Sequence, residues 1–139
     1  MYILYIYRGD VMQIIISNSS EVPIYEQIKE AIKTMILSGE LLGGEALPSI
    51  RSLAKDLRIS VITTKRAYEE LEKEEYIETV PGKGCFVKTK SDDFRKEEIF
   101  KKIEQYLGNA VTIAQQYQIS RTELEEILTC LYEEETYEK

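Results

Sequence analysis

Side chains that commonly carry enzyme chemistry are scarce or scattered in this sequence. The 139 residues include no histidine, which removes the commonest general base and the usual metal ligand. Many carboxylates stand in runs such as Glu69-Glu70 and Glu133-Glu134-Glu135, which are typical of solvated faces. Gly82-Lys83-Gly84 is too short for a phosphate-binding loop and lacks a following helix. We therefore predict a protein without catalytic residues, metal or cofactor.

Cysteine usage and hydropathy point to a protein of the cytoplasm. Cys85 and Cys130 match no metal-ligand spacing, so we expect two reduced thiols. No apolar run reaches the ~18 residues that a membrane helix needs. The apolar start, residues 1–7, lacks the basic residues and cleavage site of a secretory signal. We therefore expect no membrane partner.

The basic side chains are concentrated in the middle of an acidic chain. The net charge is −7, yet residues 48–90 hold nine basic and seven acidic side chains, a balance of +2. Most of those acids cluster at 69–78. Five cations precede that cluster almost unopposed: Arg51, Lys55, Arg58, Lys65 and Arg66. Because charges beyond a Debye length of roughly 8 Å are largely screened, an acidic tail can coexist with a basic surface.

Amphipathic helices must position these cations. Apolar residues recur at spacings of three and four in 24–36, 50–57 and 64–71, which predicts three helices. Pro48-Ser49 opens the second helix, and Ser60 suits the N-cap of the third. A helix, a short turn and another helix form the pattern of DNA-binding helix-turn-helix units.

A short hairpin follows the third helix directly. Residues 76–80 and 85–87 read as two strands around the turn 81–84, which makes this hairpin a candidate wing. Residues 12–16 predict a further strand. The predicted fold is mainly α with a small β-hairpin: a winged helix-turn-helix domain at 12–88, followed by a two-helix C-terminal segment at 89–139.

The C-terminal helices carry apolar stripes with no evident partner in the chain. One stripe runs from Ile99 to Ala114, and the other follows a capping box at 120–123. A two-fold copy of the same segment is the simplest cover for both stripes. We therefore expect a homodimer formed through the C-terminal helices.

Several ordered motifs resemble those of the GntR family of bacterial repressors over about residues 12–88. They are Pro23-Ile24-Tyr25-Glu26-Gln27-Ile28, Leu47-Pro48-Ser49-Ile50-Arg51-Ser52-Leu53-Ala54, Ile59-Ser60, Lys65-Arg66-Ala67-Tyr68-Glu69-Glu70-Leu71-Glu72 and Gly82-Lys83-Gly84-Cys85-Phe86-Val87. The short tail is similar to the YtrA-like subfamily, in which two helices replace a large effector-binding domain.

The resemblance implies a role in DNA binding for nine residues: Arg51, Ser60, Thr63, Thr64, Lys65, Arg66, Gly82, Lys83 and Gly84. Arg51 and Arg66 would contact phosphates, and the residues that open the third helix would enter the major groove. Gly82 and Lys83 would approach the minor groove, with Gly84 keeping the turn tight. Physically, a helix N-terminus offers unpaired N–H groups, and cations neutralise phosphates.

The sequence departs from the family pattern at two places. Many members have arginine directly after the capping serine, where this chain has Val61 followed by Ile62. Apolar side chains there would shift base readout toward thymine methyl groups. Cys85 occupies a wing position that is usually Thr or Ser, a conservative change.

These features predict a DNA-binding transcriptional regulator that acts as a homodimer on a pseudo-palindromic operator. The resemblance suggests repression of a transporter-type operon, and it leaves a small-molecule effector open. The alternative is a winged-helix adaptor that binds proteins rather than DNA. Residues 1–11 read as an extension from a misplaced start, because codons for Arg8-Gly9-Asp10 can spell a ribosome-binding sequence before Met12.

Overall fold

The structure, a computed structural model, describes residues 2–7 and 12–138, with side chains described for 14–134. The chain divides into two compact units, with the boundary between Arg95 and Lys96. In chain order the elements are β1 (Tyr2–Tyr7), β2 (Met12–Ser17), α1 (Ile24–Ser38), α2 (Ile50–Leu57), α3 (Val61–Lys73), β3 (Ile77–Val80), β4 (Gly84–Val87), α4 (Asp92–Gln116) and α5 (Arg121–Glu138). The predicted mainly α fold with a small wing hairpin is confirmed.

Helix α1 forms where the apolar spacing predicts it. Pro23 precedes the first turn, and Gly39 ends the helix in the left-handed conformation while its N–H donates to Ile36 O. One face of α1 is buried, with Ile28 and Ile32 fully inaccessible to solvent. Fully burying an isoleucine contributes roughly 1.5–3 kcal/mol, so this face ties α1 to the core.

The core of the first unit lies between the three helices and the wing. Helices α1 and α2 both pack against α3. Their buried apolar side chains join residues from β2, β3 and β4 in one cluster, which includes Ile14, Ile32, Leu53, Leu57, Leu71, Tyr76 and Val87. This continuous cluster holds the helix-turn-helix and the wing in one unit.

The two hairpins are separate two-stranded antiparallel sheets. Strand β1 pairs with β2, Tyr2 opposite Ser17 and Tyr7 opposite Met12. Residues 2–7 of the predicted extension therefore lie in a strand, while residues 1 and 8–11 lie outside the described part of the chain. An N-terminal start at Met12 stays a prediction. Strand β3 pairs with β4, Ile77 opposite Val87 and Val80 opposite Gly84.

The first unit extends beyond residue 88 because the start of α4 packs onto it. The Arg95 guanidinium donates to Leu37 O at 2.7 Å, close to the C-terminal end of α1. The rings of Phe94 and Tyr76 meet edge to face, with centroids 6.4 Å apart. These contacts hold the first turn of α4 against the helix-turn-helix domain.

In the second unit, α4 and α5 leave most of their apolar side chains exposed. Ala114 is buried, whereas Leu107 is 50% exposed and Leu131 is 55% exposed. The turn between the helices is closed by Ile119 N–H donating to Ala114 O, and Ser120 accepts from Glu123 N–H as the predicted cap. No helix in residues 2–7 and 12–138 is long and apolar enough to cross a membrane.

Candidate nucleic-acid interface

Helix α3 begins at a serine cap, as predicted. The Ser60 hydroxyl accepts a hydrogen bond from Thr63 N–H at 3.0 Å and donates one to Thr63 Oγ1 at 2.7 Å. A capping serine satisfies one of the free N–H groups at a helix start and stabilises the helix by about 1 kcal/mol. Ser60 is exposed and Thr63 half-buried, so the cap lies at the surface of the unit.

The structure contradicts the predicted contact of Thr64 with DNA. Its side chain is fully buried, and its hydroxyl donates to Ser60 O at 3.1 Å. A side chain with no accessible surface packs inside the protein rather than against a ligand. The reason is its register, because Thr64 lies three, four and seven positions before Ala67, Tyr68 and Leu71, which line the buried face of α3.

The exposed surface of the first turns of α3 is apolar and cationic. Val61 is 47% exposed and Ile62 is 81% exposed. Lys65 follows one turn later and is also exposed. The N-terminus of a helix carries partial positive charge from its aligned peptide dipoles, which adds to the charge of the lysine. This end of α3 therefore suits an anionic surface with apolar features.

Arg66 lies against helix α1. Its guanidinium carbon is 3.9 Å from the centroid of the Tyr25 ring, a cation–π contact. Because guanidinium stacks flat on aromatic rings, Tyr25 restricts the directions in which Arg66 can donate. Arg66 remains exposed, so its donors stay available at the surface.

Arg51 lies in the first turn of α2 and is exposed. Ser49 caps this helix by accepting from Ser52 N–H at 3.1 Å. The Tyr68 hydroxyl of α3 donates to Pro48 O at 2.7 Å and is buried. This hydrogen bond joins the start of α2 to the middle of α3, so Arg51 lies on the same compact unit as the cap of α3.

The wing tip is a tight turn whose backbone favours glycine at two positions. Lys83 N–H donates to Val80 O at 2.9 Å across the turn. Gly82 has φ +76° and Gly84 has φ +112°, which are left-handed values that side chains with a Cβ rarely adopt. Pro81 followed by glycine at positive φ has the features of a type II turn. The exposed Lys83 is thereby presented at the tip.

Backbone hydrogen bonds join the wing to the segment before α2. Leu47 N–H donates to Cys85 O at 2.9 Å, and Gly44 N–H donates to Val87 O at 2.8 Å. At the other end of α3, the Glu72 carboxylate accepts from Thr79 N–H at 2.9 Å. The structure therefore unites the predicted residues of α2, α3 and the wing in one unit, with Thr64 in its interior. Cys85 is half-buried in the wing, its Sγ 3.6 Å from Thr79 Oγ1.

The C-terminal half of α3 has the opposite charge. Acidic residues begin at Glu69, and Glu74 lies 3.0 Å from the ammonium groups of both Lys29 and Lys33 on α1. Burial disfavours the charged form of Glu74 and opposes this pairing, but the hydrogen bonds and attraction of Lys33 and Lys29 outweigh burial, so the pKa of Glu74 is lowered. Burial likewise opposes the charge of Lys29, and Glu74 outweighs it, so the pKa of Lys29 is raised.

The comparisons with known proteins place the chain in a family. The model for bacterial regulatory proteins of the gntR family matches residues 24–87, from the start of α1 to the end of the wing. A solved GntR family transcriptional regulator from Listeria monocytogenes is 32% identical, with a TM-score of 0.68 over 85% of this chain and 98% of that one. The chain belongs to the GntR family.

Two further GntR relatives carry the YtrA name. The HTH-type transcriptional repressor YtrA of Bacillus subtilis is 43% identical over 68 residues, which cover 49% of this chain and 52% of that protein. The solved YtrA of Sulfolobus acidocaldarius is 36% identical, with a TM-score of 0.53 over 65% of this chain and 95% of that one. The chain thus matches about half the length of the curated YtrA. Since these relatives are transcriptional regulators, the prediction of a non-enzyme is confirmed.

All nine predicted site residues lie within the range that matches the GntR family model. Sequence reasoning did not predict the contact of Tyr25 with Arg66 or the ion pairs of Glu74, although Tyr25 and Glu74 also fall in that range. Tyr25 belongs to the quoted opening motif, but its contact with Arg66 depends on how α1 crosses α3. Glu74 stands in an acidic run, and only the packing of α1 distinguishes it from its neighbours.

Proposed function

We propose that the chain is a sequence-specific DNA-binding transcriptional regulator of the cytoplasm that acts as a repressor. The observation that carries this proposal is the exposed, capped N-terminus of α3 with Lys65 one turn along, on the same unit as Arg51 and Lys83. In helix-turn-helix proteins the N-terminal residues of the recognition helix contact base edges in the major groove.

Each of the eight predicted residues other than Thr64 then has a role on the DNA. Arg51 and Arg66 neutralise phosphates, which fixes the orientation of the domain on the duplex. Ser60 and Thr63 shape the start of α3, and Lys65 donates to a base or a phosphate. Gly82 and Gly84 allow the wing backbone to approach the minor groove, where Lys83 adds charge.

The proposed assembly is a homodimer formed through α4 and α5. Support comes from the apolar stripe of α4, whose members Ile99, Ile103, Leu107 and Val111 are between 39% and 50% exposed in the single chain. Patches of this kind usually mark interaction surfaces. A dimer carries two copies of the DNA-contacting surface, which suits a pseudo-palindromic operator. Repression of a transporter-type operon rests on the resemblance to YtrA-like regulators.

The first test is selection of duplexes from a random pool by the full chain, followed by titration of an enriched duplex at several salt concentrations. We expect Lys65→Ala to weaken binding by roughly 5- to 150-fold, the effect of losing one good contact of about 1–3 kcal/mol. If Lys65 contacts a phosphate, the salt slope also falls by about one.

Lys73→Ala is the matched control, because Lys73 is an exposed lysine in the last turn of the same helix. We expect this control to bind within about twofold of the wild type, since a change away from the contact surface is nearly neutral. A chain that binds no duplex even at low salt would refute the proposal and favour a protein-binding adaptor. Equal losses in both variants would refute the assignment of the N-terminal half of α3.

A further inference from the structure

We propose that Ile62 is a specificity-determining residue that reads the 5-methyl group of thymine in the major groove. This inference rests on the DNA-binding function proposed above and adds the base that α3 prefers. Ile62 is 81% exposed, the largest exposed fraction among the large hydrophobic side chains described within residues 14–134. Val61 beside it is 47% exposed, so the helix opens with two adjacent uncovered aliphatic side chains.

Folding of the first unit gives no reason for an isoleucine at this position. The side chain has lost little contact with water, so it contributes little hydrophobic stabilisation. A β-branched residue is also a weaker helix former than alanine or glutamate, which are ordinary choices for an exposed helical site. The isoleucine therefore has no evident structural benefit in the free protein.

The charge distribution along α3 selects the end that approaches DNA. Residues 61–66 include two cations and no acid, whereas Glu69, Glu70, Glu72 and Glu74 occupy the second half of the helix and its C-cap. Phosphates attract the first half and repel the second. The helix would therefore enter the groove with its N-terminal turn foremost, and Ile62 lies in that turn.

The other side chains of the turn leave apolar readout as its main chemistry. The Thr63 hydroxyl already accepts from Ser60 at 2.7 Å, and Thr64 is buried. No Arg, Lys, Asn or Gln, the residues that make bidentate contacts with guanine or adenine, stands among residues 61–64. The feature of a base edge that an aliphatic side chain recognises is the thymine methyl group.

The test uses the full chain and the enriched duplex from the selection experiment. Each thymine of one half-site is replaced in turn by deoxyuridine, which keeps base pairing and removes only the 5-methyl group. We expect one such position to weaken wild-type binding about three- to fivefold, the effect of losing one buried methyl contact. Ile62→Ala should weaken binding to the thymine duplex by a similar or larger factor and become insensitive to the deoxyuridine at that position.

Two variants separate base recognition from general effects. Ile62→Val keeps a branched aliphatic side chain, so it should retain at least part of the preference for thymine over deoxyuridine. Ile15→Ala removes an isoleucine that is 56% exposed on β2 and should keep the full preference.

Two outcomes would overturn the inference. Sequence-specific binding that is unchanged, within error, by deoxyuridine at every thymine would overturn the role of Ile62 while leaving the DNA-binding function intact. Failure to enrich or bind any duplex would overturn both.

Discussion

The two compact units of the chain differ in how far they bury their apolar side chains. Up to Arg95, helices α1, α2 and α3 bury their apolar faces in one cluster, and ion pairs such as Lys33–Glu74 link different helices. From Lys96 onward, apolar side chains such as Leu107 and Leu128 stay about half exposed. Ion pairs in that second unit, such as Arg121–Glu125, join neighbouring turns of one helix. The first unit therefore holds its fold internally, whereas the second has the surface of a segment that needs a partner.

The largest loss of stability should follow from creating a cavity in the core of the first unit. Leu71→Ala replaces a fully buried leucine of α3 and should lower the free energy of unfolding by about 2–5 kcal/mol. Leu42→Ala makes the same change at a leucine that is 58% exposed, where we expect a loss within about 0.5 kcal/mol. Urea denaturation of the full chain, followed by circular dichroism at several protein concentrations, measures both. Both leucines lie in the first unit and differ in burial, so equal losses would contradict the closed core assigned to that unit.

The second-largest effect should be a loss of dimerisation without a loss of folding. Leu107→Glu places a charge on the apolar stripe of α4, where burial against a partner would leave it desolvated and unpaired. We expect the dissociation constant of the proposed dimer to rise by at least about tenfold, or 1.4 kcal/mol, while the core of the first unit stays folded. Sedimentation equilibrium over a range of concentrations measures this change.

Gln105→Glu is the matched control for the dimer experiment. It adds the same charge at an exposed position of α4 two residues away, which is about 160° around the helix from Leu107. This variant should dimerise like the wild type. A Leu107→Glu chain that also dimerises like the wild type would show that the stripe of α4 is not the interface.

Much of the first unit is predictable from local sequence. Ser60 caps α3, and Pro81 with glycine makes the wing turn, because both choices depend on neighbouring residues alone. The burial of Thr64 could also be predicted from the sequence, since its spacing from Ala67 and Leu71 places it on the apolar face of the helix. The DNA-binding role that the family resemblance implied for Thr64 conflicts with that register.

Long-range contacts could not be predicted from the local sequence in this way. The stacking of Arg66 on Tyr25 and the pairing of Glu74 with α1 both depend on the angle at which α1 crosses α3. Local propensity and spacing predict that each helix exists and which face it buries, but not this crossing. Strand pairing of residues 2–7 with β2 has the same origin, because it depends on a partner strand rather than on the apolar run itself.

The smallest effect concerns the ion-pair cluster between α1 and α3. Because the folded pKa of Glu74 is lowered, its pairing contributes stability above its ordinary pKa of 4.5, and that contribution is lost as the pH falls through the lowered value. The raised pKa of Lys29 acts in the opposite sense: its contribution is complete below the ordinary 10.5 and is lost as the pH rises through the raised value. Between these limits the pairing is intact.

Glu74→Gln should therefore lower the free energy of unfolding at pH 7 by at most about 1 kcal/mol, since the pairs are partly exposed, and this loss should shrink as the pH falls below 4.5. Urea denaturation at pH 7 and pH 3.5, with exposed Glu40→Gln as the control, measures the difference. A loss that stays constant over that interval would mean that the charge of Glu74 contributes nothing to holding α1 on α3.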